Sequence, residues 1–480
     1  MTTIFIFRRS LRLFDNKGLI HAIKEIKQPI LPIFILTPTQ LGKQNKYKSN
    51  NCVQFMMESI IDLNNQLKTK KSRLRLFYGE PDKILNYLLN KLKLVNTVIV
   101  NMDYTPYSIK RDQKLCQVCK NYNVEFILKE DYLLQPVGST LTSNKDIYTK
   151  FTPYWRKINK KPVDKPQNIT GISKNYINSR VKINNEFKIT NLKKFYKYNS
   201  NLLHNGGRNN GLKQLKLIKF QNKVPGYNKG RNCLNRKTTE LSAHIKFGTI
   251  SIREVYWHCK HVLKNNSKDL IKELYWRDFY ANVGWGYPRI LKGQLSGRLH
   301  NQSLKTNYDN IRWNSGKKAQ KDFKLWCDGQ TGFPIIDAAM TQMNTTGFMH
   351  NRCRMIVSSF LIKILLIDWR LGEQYFAKTL YDYDPNSNNG GWQFISGSGS
   401  DSQPYFRIFN PWTQSKKYDP NCEYIKYWLP ELKELNNKDI HKWYEVCNEY
   451  LDQGINYYEP IINYSTQRKK ALSMYKKALK

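Results

Sequence analysis

The sequence predicts two folded parts: an N-terminal α/β domain with a doubly wound parallel sheet, and an all-α C-terminal domain. Three observations predict this. The first 130 residues alternate short β-rich segments with helical periods, strand signals nearly vanish after residue 238, and ten of the eleven tryptophans lie between residues 257 and 443. Strands that alternate with helices and are continuously apolar are typical of a parallel sheet with helices on both faces. Tryptophans mostly fill cores, but so uneven a distribution suggests that the helical part also holds a flat aromatic group.

Length and charge narrow the function. A chain of 480 residues with 40% hydrophobic residues can fill two or three domain cores, which excludes a single small module. Its 79 Lys and Arg against 37 Asp and Glu give a formal net charge of +42. A charge this positive favours a polyanionic partner, because binding to phosphates releases counterions. Part of the excess is also what an AT-rich genome produces, since Lys, Asn and Ile abound.

The N-terminal domain is predicted over residues 1–132. Its five predicted strands are 3–7, 30–36, 73–78, 97–100 and 124–128. Between the second and third, residues 53–67 place apolar side chains three and four apart, which is typical of a helix. The first strand is followed by RRSLRLFDN rather than GxGxxG. The usual dinucleotide-binding turn is therefore not expected in this domain.

A basic linker is predicted over residues 133–225, before a helical domain over 226–480. Residues 151–240 carry 21 Lys and Arg against 3 acids, a net charge of +18. Such a segment is a linker or a loosely ordered connection, and a solvated basic surface is the simplest interpretation.

The location of the protein is constrained by what the sequence contains. Nine scattered cysteines predict no disulfide framework and favour a reducing compartment. The N-terminus MTTIFIFRRS enters a strand directly, so neither a signal peptide nor a transit peptide is expected. Residues 355–369 are apolar but shorter than a bilayer span and predict a buried helix. We expect a soluble intracellular protein, a monomer without membrane contact, wherever its polyanion resides.

The motif ELYWRDFY carries the first candidate site. On a helix, Glu273, Trp276, Arg277 and Tyr280 share one face. An acid, a flat ring and a guanidinium that point together into a buried region favour a polar ligand, since their burial is costly without one. A structural Glu–Arg pair beside a core Trp is the alternative.

A second candidate site lies in FMHNRCRM. Asn351 and Met355 share a helix face, so an amide and a thioether line one cavity, while Arg352 lies about 100° around the helix. His350 is expected to be a packed core histidine, because no acid or second His stands at metal-ligand spacing. No metal site is predicted.

Polar residues and glycines form two further candidates. In YDYDPNSNNGGWQF, Asp382, Asp384 and Asn388 precede a glycine pair that lets backbone approach a ligand closely. In KTTELSAHIKFG, hydroxyls stand at a helix start, where backbone NH groups bind phosphate. Plain helix capping is the alternative there.

Together these segments resemble the photolyase and cryptochrome family. The resemblance runs through RRSLRLFDN, FTPYWRK, KTTELSAHIKFGTIS, ELYWRDFY and the stretch from Trp326 to about Leu432. It implies an N-terminal α/β domain, a long linker and a helical domain that holds FAD beneath a DNA-binding hole. The implied enzyme is a deoxyribodipyrimidine photo-lyase, whose partner is UV-damaged DNA.

The resemblance also implies which residues hold FAD. They are Tyr227, Thr238, Thr239, Glu240, Leu241, Ser242, Arg277, Asn351, Arg354, Asp382, Asp384 and Asn388. Asn388 is expected to face flavin N5, where Asn favours the reduced flavin that repair needs. Trp392, Trp369 and Trp313 match the family's chain of three tryptophans that reduces the flavin from the surface.

The lesion is inferred from the same cavity. Family members that repair the (6-4) photoproduct place His at the positions of Asn351 and Met355, so this sequence resembles a class I cyclobutane pyrimidine dimer enzyme. The catalytic set implied is Glu273, Asn351, Arg352, Met355 and Asn388. The DNA contacts implied are Arg231, Trp276, Arg352, Phe394 and Arg407. A photoreceptor without repair activity and (6-4) repair are the alternatives, and a nucleic-acid-binding protein that has lost flavin is a third.

The sequence departs from the family's pattern at three places. Phe394 stands where a Trp usually walls the dimer, and Leu270 replaces a Trp one turn before Glu273. Residues 103–112 lack the Asn and Glu that bind a folate antenna in some class I enzymes. A deazaflavin antenna, or none, is therefore expected rather than folate.

Overall fold

A five-stranded α/β layer and a larger helical part make up the protein, for which a computed structural model describes residues 1–168, 175–178, 180, 182–221, 227–293 and 301–479. The predicted boundary between linker and helical domain, at residues 225 and 226, lies outside the described residues. Within the described part of the chain, no helix combines the length and apolar character that crossing a lipid bilayer requires.

All five strands are parallel, which confirms the predicted fold class. They are β1 (Thr2–Phe7), β2 (Ile30–Leu36), β3 (Arg75–Tyr78), β4 (Val95–Asn101) and β5 (Glu125–Lys129). The order across the sheet is β3-β2-β1-β4-β5. In the centre, Ile4 lies opposite Leu31 of β2 and Val98 of β4. Every residue of β2 is buried, because helices cover both faces of the sheet.

Short capping motifs start the helices of this layer. The helices are α1 (Lys17–His21), continued by a π-helical turn at Ala22–Ile26, then α2 (Pro38–Leu41), α3 (Asn50–Lys68), α4 (Pro81–Lys91) and α5 (Pro106–Asn121). Thr37, Ser49 and Thr105 cap α2, α3 and α5 by accepting hydrogen bonds from backbone NH groups. Proline begins α2, α4 and α5, where its missing N–H costs nothing.

Helices dominate from residue 151 onward. They are α6 (Phe151–Ile158), α7 (Arg208–Gln221), α8 (Tyr227–Gly230), α9 (Ser242–Phe247), α10 (Ile252–Leu263), α11 (Lys268–Gly286), α12 (Gly316–Asp328), α13 (Pro334–Thr346), α14 (Asn351–Lys363), α15 (Trp369–Thr379), α16 (Pro385–Ser396), α17 (Pro411–Tyr418), α18 (Glu423–Trp428), α19 (Asn437–Ile440), α20 (Trp443–Asp452) and α21 (Tyr464–Leu479). Short 3₁₀ segments lie at Ile189–Phe195, Lys264–Ser267, Pro288–Leu291, Thr306–Asn310 and Pro430–Leu432.

Residues of the predicted basic linker pack against the helical part. Phe151 of α6 and Ile218 of α7 are buried in one apolar cluster with Leu274 and Tyr275 of α11. Its cations stay largely on the outside of these helices, since apolar side chains take the inner face.

The apolar stretch 355–369 is not one helix, which corrects the prediction. Helix α14 ends at Lys363, and α15 begins at Trp369 with Asp368 as its side-chain cap. Between them, Leu366 has a φ of 58°, a left-handed conformation that a continuous helix does not accommodate. The whole stretch is nevertheless buried apart from Met355 and Asp368, which are half-buried. Burial was predicted from composition, whereas the turn was not.

A buried ion network joins the two parts of the protein. Asp131, just after β5, accepts hydrogen bonds from Arg12 at 2.8 Å and from Arg253 of α10 at 2.7 Å. Asp15 accepts from Arg253 Nε at 2.9 Å. The four side chains are only 1–2% exposed. Two arginines and two aspartates balance each other, so the segment RRSLRLFDN acts here as an interdomain clamp.

Candidate active site and cofactor site

Helix α11 presents the predicted face. Arg277 donates from Nη1 to the carbonyl oxygen of Tyr132 at 2.6 Å, and its guanidinium lies 3.7 Å from the centre of the Tyr132 ring. The second nitrogen, Nη2, is buried and has no hydrogen-bond partner among the described residues. A buried charged donor without a partner is costly, so this atom is available to an acceptor that the protein itself does not supply.

Asp384 is fully engaged by protein groups. Its carboxylate accepts hydrogen bonds from Arg9 and from the Tyr132 hydroxyl, and it caps α16 through the backbone NH groups of Asn386 and Ser387. Burial alone would raise the pKa of Asp384, but Arg9 and Arg277 outweigh burial and hold that pKa well below its usual range. Asp384 therefore positions α16 and a residue of the N-terminal layer. Its predicted contact with FAD stays a prediction.

A second ion pair joins α14 to the chain just before α16. Arg354 Nη2 donates to Asp382 at 2.9 Å, and the Ser242 hydroxyl donates to the same carboxylate at 2.6 Å. Arg354 Nε donates to the backbone carbonyl of Met349 at 2.9 Å. Two predicted cofactor residues, Arg354 and Ser242, thus bind a third, Asp382.

The segment before α9 leaves the helix start without a side-chain cap. Leu241 is the N-cap of α9 and makes no capping hydrogen bond with its side chain. Glu240, with a φ of 49°, is held by His204 at 2.8 Å. Plain capping by Thr238, Thr239 or Ser242 is therefore not what the structure has. In Tyr227, nearby in sequence, burial raises the pKa of the phenol.

The first turns of α16 carry Asn388 and the glycine pair. Asn388 Nδ2 donates to the backbone carbonyl of Glu373 at 3.0 Å. A Cβ on Gly390 would stand 2.2 Å from the Tyr280 ring, whereas one on Gly391 would meet nothing within 4 Å. The close approach that the glycine pair predicts is thus to Tyr280 of α11 at Gly390, and Gly391 borders open space.

These residues fit a nucleotide cofactor such as FAD. Arg277 has an unpaired buried donor, Arg354 adds a second guanidinium that is paired with Asp382, and α9 begins without a side-chain cap. Cations and free NH groups are what a diphosphate requires. Among the described residues, no three His, Cys, Asp or Glu side chains cluster as a metal site would require.

The residues predicted to contact the dimer or the DNA include Glu273, Trp276 and Arg352, and each has a partner from another segment of the chain. Glu273 forms an ion pair with Arg231, which directly follows α8. Trp276 stacks on Phe151 of α6, with ring centres 3.7 Å apart and planes at 6°. Arg352 donates twice to Asn232 Oδ1, at 3.1 and 2.7 Å.

The other predicted contacts are less enclosed. Asn351 and Arg407 are exposed, and Met355 and Phe394 are half-buried against the apolar core of the helical part. His350 is buried and its ring Nδ1 accepts from the backbone NH of Arg352 at 3.1 Å, which makes it the N-cap of α14. This agrees with the predicted packed histidine.

Comparison with known proteins places this geometry in a family. Residues 3–169 match the model of the DNA photolyase domain, and residues 270–477 match the FAD binding domain of DNA photolyase. A deoxyribodipyrimidine photo-lyase of Alkalihalophilus pseudofirmus is 33% identical over 98% of this chain and 97% of its own. The chain belongs to the DNA photolyase family.

Solved structures of photolyase-family proteins agree along the whole chain. An archaeal photolyase from Sulfolobus tokodaii, solved with two FAD molecules, has a TM-score of 0.85 and 36% identity over 99% of this chain and 100% of that one. A Synechocystis cryptochrome has a TM-score of 0.86 and 27% identity over 98% and 99%. The predicted family, fold class, FAD-binding domain and photo-lyase enzyme class are confirmed.

The three tryptophans predicted to pass electrons to the flavin differ in burial. Trp392 and Trp369 are 2% and 1% exposed, and Trp313 is half-buried. Gly372 of α15 lets the Trp392 ring approach, since a Cβ there would stand 2.1 Å from it. Trp313 lies 6.1 Å from Tyr475 of α21, ring centre to ring centre. Their predicted electron-transfer role stays a prediction.

A separate cavity of about 640 Å³ opens at the carboxyl edge of the sheet. It is lined by residues that follow β1, β2, β3 and β4, and by five residues from the helical part: Lys246, Phe247, Leu291, Tyr383 and Pro385. The carboxyl edge of an open parallel sheet is the usual place for a ligand. Glu273 does not line this cavity.

Four residues that bind or pack against predicted site residues were not themselves predicted from the sequence. They are Arg9, Tyr132, Phe151 and Asn232. Arg9 and Phe151 stand inside the recognised segments RRSLRLFDN and FTPYWRK, so a role was within reach. Tyr132 and Asn232 carry no motif, and only the packing of distant segments reveals them.

Proposed function

We propose that this photolyase-family enzyme splits cyclobutane pyrimidine dimers in DNA under blue light. The observation that carries the lesion assignment is the state of His350. Burial, with Arg352 and Arg354 nearby, lowers the pKa of His350 to about 4, and its ring is 4% exposed and spent on capping α14. Asn351 follows it directly in sequence, and Met355 lies one turn beyond Asn351 on the same helix. The (6-4) reaction uses a histidine as an acid. This part of α14 offers no histidine for that role.

The FAD contacts of the proposal are Arg277, Arg354, Asp382 and Ser242, with Tyr227 and the segment Thr238–Leu241 beside them. When bound in its reduced form, FAD supplies the electron that light drives onto the dimer. The chain's own task is to hold the cofactor against the flipped-out dimer and to exclude water and oxidants.

Asn388 supports the reduced state in this proposal. Its Nδ2 is used by the Glu373 carbonyl, so Oδ1 is the atom left to accept a hydrogen bond. An acceptor facing flavin N5 favours the reduced form, in which that nitrogen carries a hydrogen. The three tryptophans supply electrons to restore that form, from half-buried Trp313 inward to buried Trp369 and Trp392.

Glu273 and Trp276 receive the dimer in the proposal. Phe151 covers one face of Trp276, which fixes the indole and leaves the other side of the ring for bases. Glu273 accepts hydrogen bonds from the dimer's imide N–H groups, assisted by Asn351 and Arg352, with Met355 and Phe394 packing on the bases. Arg231, Arg352 and Arg407 bind the flanking phosphates, which positions the lesion without reading sequence.

Repair in the light tests the proposal. Reduced holoprotein is mixed with an oligonucleotide that carries one cyclobutane dimer, and intact thymines are counted after blue light and after darkness. We expect restoration only in the light, and Glu273→Ala to lower the yield about tenfold because a charged hydrogen bond is lost. Asp269→Ala, one turn earlier on α11, is the matched control and should leave the yield unchanged.

Three outcomes are distinguishable. Restoration of a (6-4) lesion instead of the dimer would contradict the lesion assignment. No restoration of either lesion by protein that holds reduced FAD would favour a photoreceptor. A protein that binds damaged DNA but takes up no flavin would favour the nucleic-acid-binding alternative.

The cavity at the sheet edge supports a second chromophore. We infer that it takes a tricyclic ring of the flavin or deazaflavin kind rather than folate, because Tyr47 and Tyr107 offer flat walls and Arg8 and Arg111 offer cations. The Sulfolobus tokodaii relative, whose structure holds two FAD molecules, supports a flavin-shaped ligand.

Reconstitution tests the second chromophore. Apoprotein titrated with FAD is expected to bind two equivalents, and Tyr107→Ala is expected to bind one because it removes a wall of the cavity. Ile109→Ala, on the exposed side of α5, is the matched control and should still bind two. If the wild type binds a single flavin and takes up no deazaflavin, the inference is wrong.

A further inference from the structure

The ion pair between Arg231 and Glu273 joins two residues that the proposed function assigns to different partners. Glu273 is assigned to the dimer and Arg231 to a phosphate of the DNA backbone. In the DNA-free protein the two side chains bind each other. They are 38% and 32% exposed, so DNA can reach both. The contact joins Arg231 Nη1 to Glu273 Oε1, so each group has fewer atoms free for its assigned partner while the pair persists.

Arg231 is the cation that pairs with this carboxylate. Burial raises the pKa of Glu273, and Arg231 opposes that rise most strongly. Lys272 and Asp269 of the same helix act on Glu273 only through space, with opposite effects. The phenols of Tyr227 and Tyr280 face the carboxylate from α8 and α11. Among the described residues, no second cation forms an ion pair with Glu273.

Arg352, the other arginine assigned to phosphate, is held differently. Its guanidinium donates to the neutral amide of Asn232 and lies 4.5 Å from the centre of the Tyr418 ring. If Arg352 turns to a phosphate, it leaves no charge behind. If Arg231 does so, it leaves a carboxylate that is two-thirds enclosed without a counter-ion, which is costly unless another donor replaces the guanidinium.

We propose that Glu273 withholds Arg231 from DNA until a flipped-out dimer takes the place of Arg231 at the carboxylate. This rests on the proposed function. The dimer's imide N–H groups donate to Glu273, Arg231 is released, and its guanidinium then binds a flanking phosphate. Undamaged DNA puts no donor at Glu273, so Arg231 stays paired. The exchange makes one phosphate contact conditional on the lesion and adds to the preference for damaged DNA.

Binding in the dark tests the exchange without any photochemistry. The affinity of holoprotein is measured for one oligonucleotide with and without a cyclobutane dimer, across a range of salt concentrations. Arg231→Gln is expected to weaken binding to damaged DNA about tenfold and binding to undamaged DNA less than twofold. Arg352→Gln, the matched control, is expected to weaken both by similar factors. Retained FAD absorbance shows that each variant is folded.

Glu273→Gln gives the sharper result. It removes the charge that holds Arg231, so undamaged DNA should bind several-fold more tightly than to the wild type. Adding Arg231→Gln should cancel that gain. Asp269→Asn removes the same charge nearby without releasing Arg231, and should give no Arg231-dependent gain. For the wild type, the salt dependence should be steeper on damaged DNA by about one counterion, and Arg231→Gln should abolish the difference.

The outcomes separate this inference from the proposed function. Suppose that the wild type prefers damaged DNA. If Arg231→Gln then weakens binding to damaged and undamaged DNA equally, both alone and in combination with Glu273→Gln, the exchange is wrong and the proposed function stands. If the wild type neither prefers nor repairs damaged DNA, the proposed function itself fails.

Discussion

Asp131→Asn is expected to lower the free energy of unfolding by about 3–5 kcal/mol at pH 7. Asp131 is the counter-ion of both Arg12 and Arg253, and all three side chains are at most 2% exposed. An amide of the same size keeps the packing but leaves two buried guanidinium groups with only Asp15 to balance them. Because this network joins the N-terminal layer to α10, the loss should affect both parts. Denaturant-induced unfolding measures it.

Asp164→Asn is the matched control for this effect. Asp164 pairs with Lys17 at 2.7 Å, but the two side chains are 63% and 37% exposed. Exposed pairs contribute about 0–1 kcal/mol, so this variant should unfold almost like the wild type. Equal losses for the two variants would contradict the role assigned to the buried network.

The loss at Asp131 should depend on pH with a definite sign. Burial alone would raise the pKa of Asp131, but Arg12 and Arg253 hold it well below its usual range. The folded pKa therefore lies below the unfolded value of about 4. The stabilisation is fully present above that pH and is lost as the pH falls towards the folded pKa. The difference between wild type and Asp131→Asn should narrow below about pH 4.

Arg277→Ala is expected to remove most of the bound FAD. The guanidinium is fixed by the Tyr132 carbonyl and ring, and its Nη2 has no partner among the described residues, so the side chain is prepared for an acidic group of the cofactor. Hydrogen bonds to a charged group contribute about 1.5–3 kcal/mol. The Kd for FAD should therefore rise about ten- to a hundredfold. Flavin fluorescence during reconstitution measures it.

Two further variants make the flavin result specific. Arg277→Lys keeps the charge but offers fewer donors in another geometry, and should give an intermediate Kd. Lys268→Ala removes an exposed cation at the start of the same helix and should leave the Kd unchanged. A full complement of flavin in Arg277→Ala would contradict the cofactor assignment of this part of α11.

The sequence predicted those features that depend on local pattern. Strands β1, β2 and β4 are mostly apolar because both of their faces are buried, and the face of α11 follows from the helical spacing between Glu273 and Tyr280. Patterns of this kind are visible in the spacing of apolar and polar residues within a short stretch of sequence. The family resemblance then assigned roles that no spacing alone provides.

Contacts between segments that are distant in the chain could not be predicted from the sequence. Asp384 was assigned to FAD, yet its carboxylate binds Arg9, 375 residues earlier in the chain. The pairing of Arg231 with Glu273 was equally hidden, because each residue alone matched a different contact. Such pairs depend on how separate elements pack, and a chain with many arginines offers many equally plausible partners for each acid.

The wavelength dependence of dimer splitting shows whether bound, reduced FAD drives the repair. Holoprotein with reduced FAD is illuminated at a series of wavelengths with an oligonucleotide carrying one cyclobutane dimer, and intact thymines are counted at each. Repair is expected to follow the absorption spectrum of the reduced protein and to disappear when the flavin is removed. Repair that ignores that spectrum, or no repair at any wavelength by protein with reduced FAD bound, would contradict it.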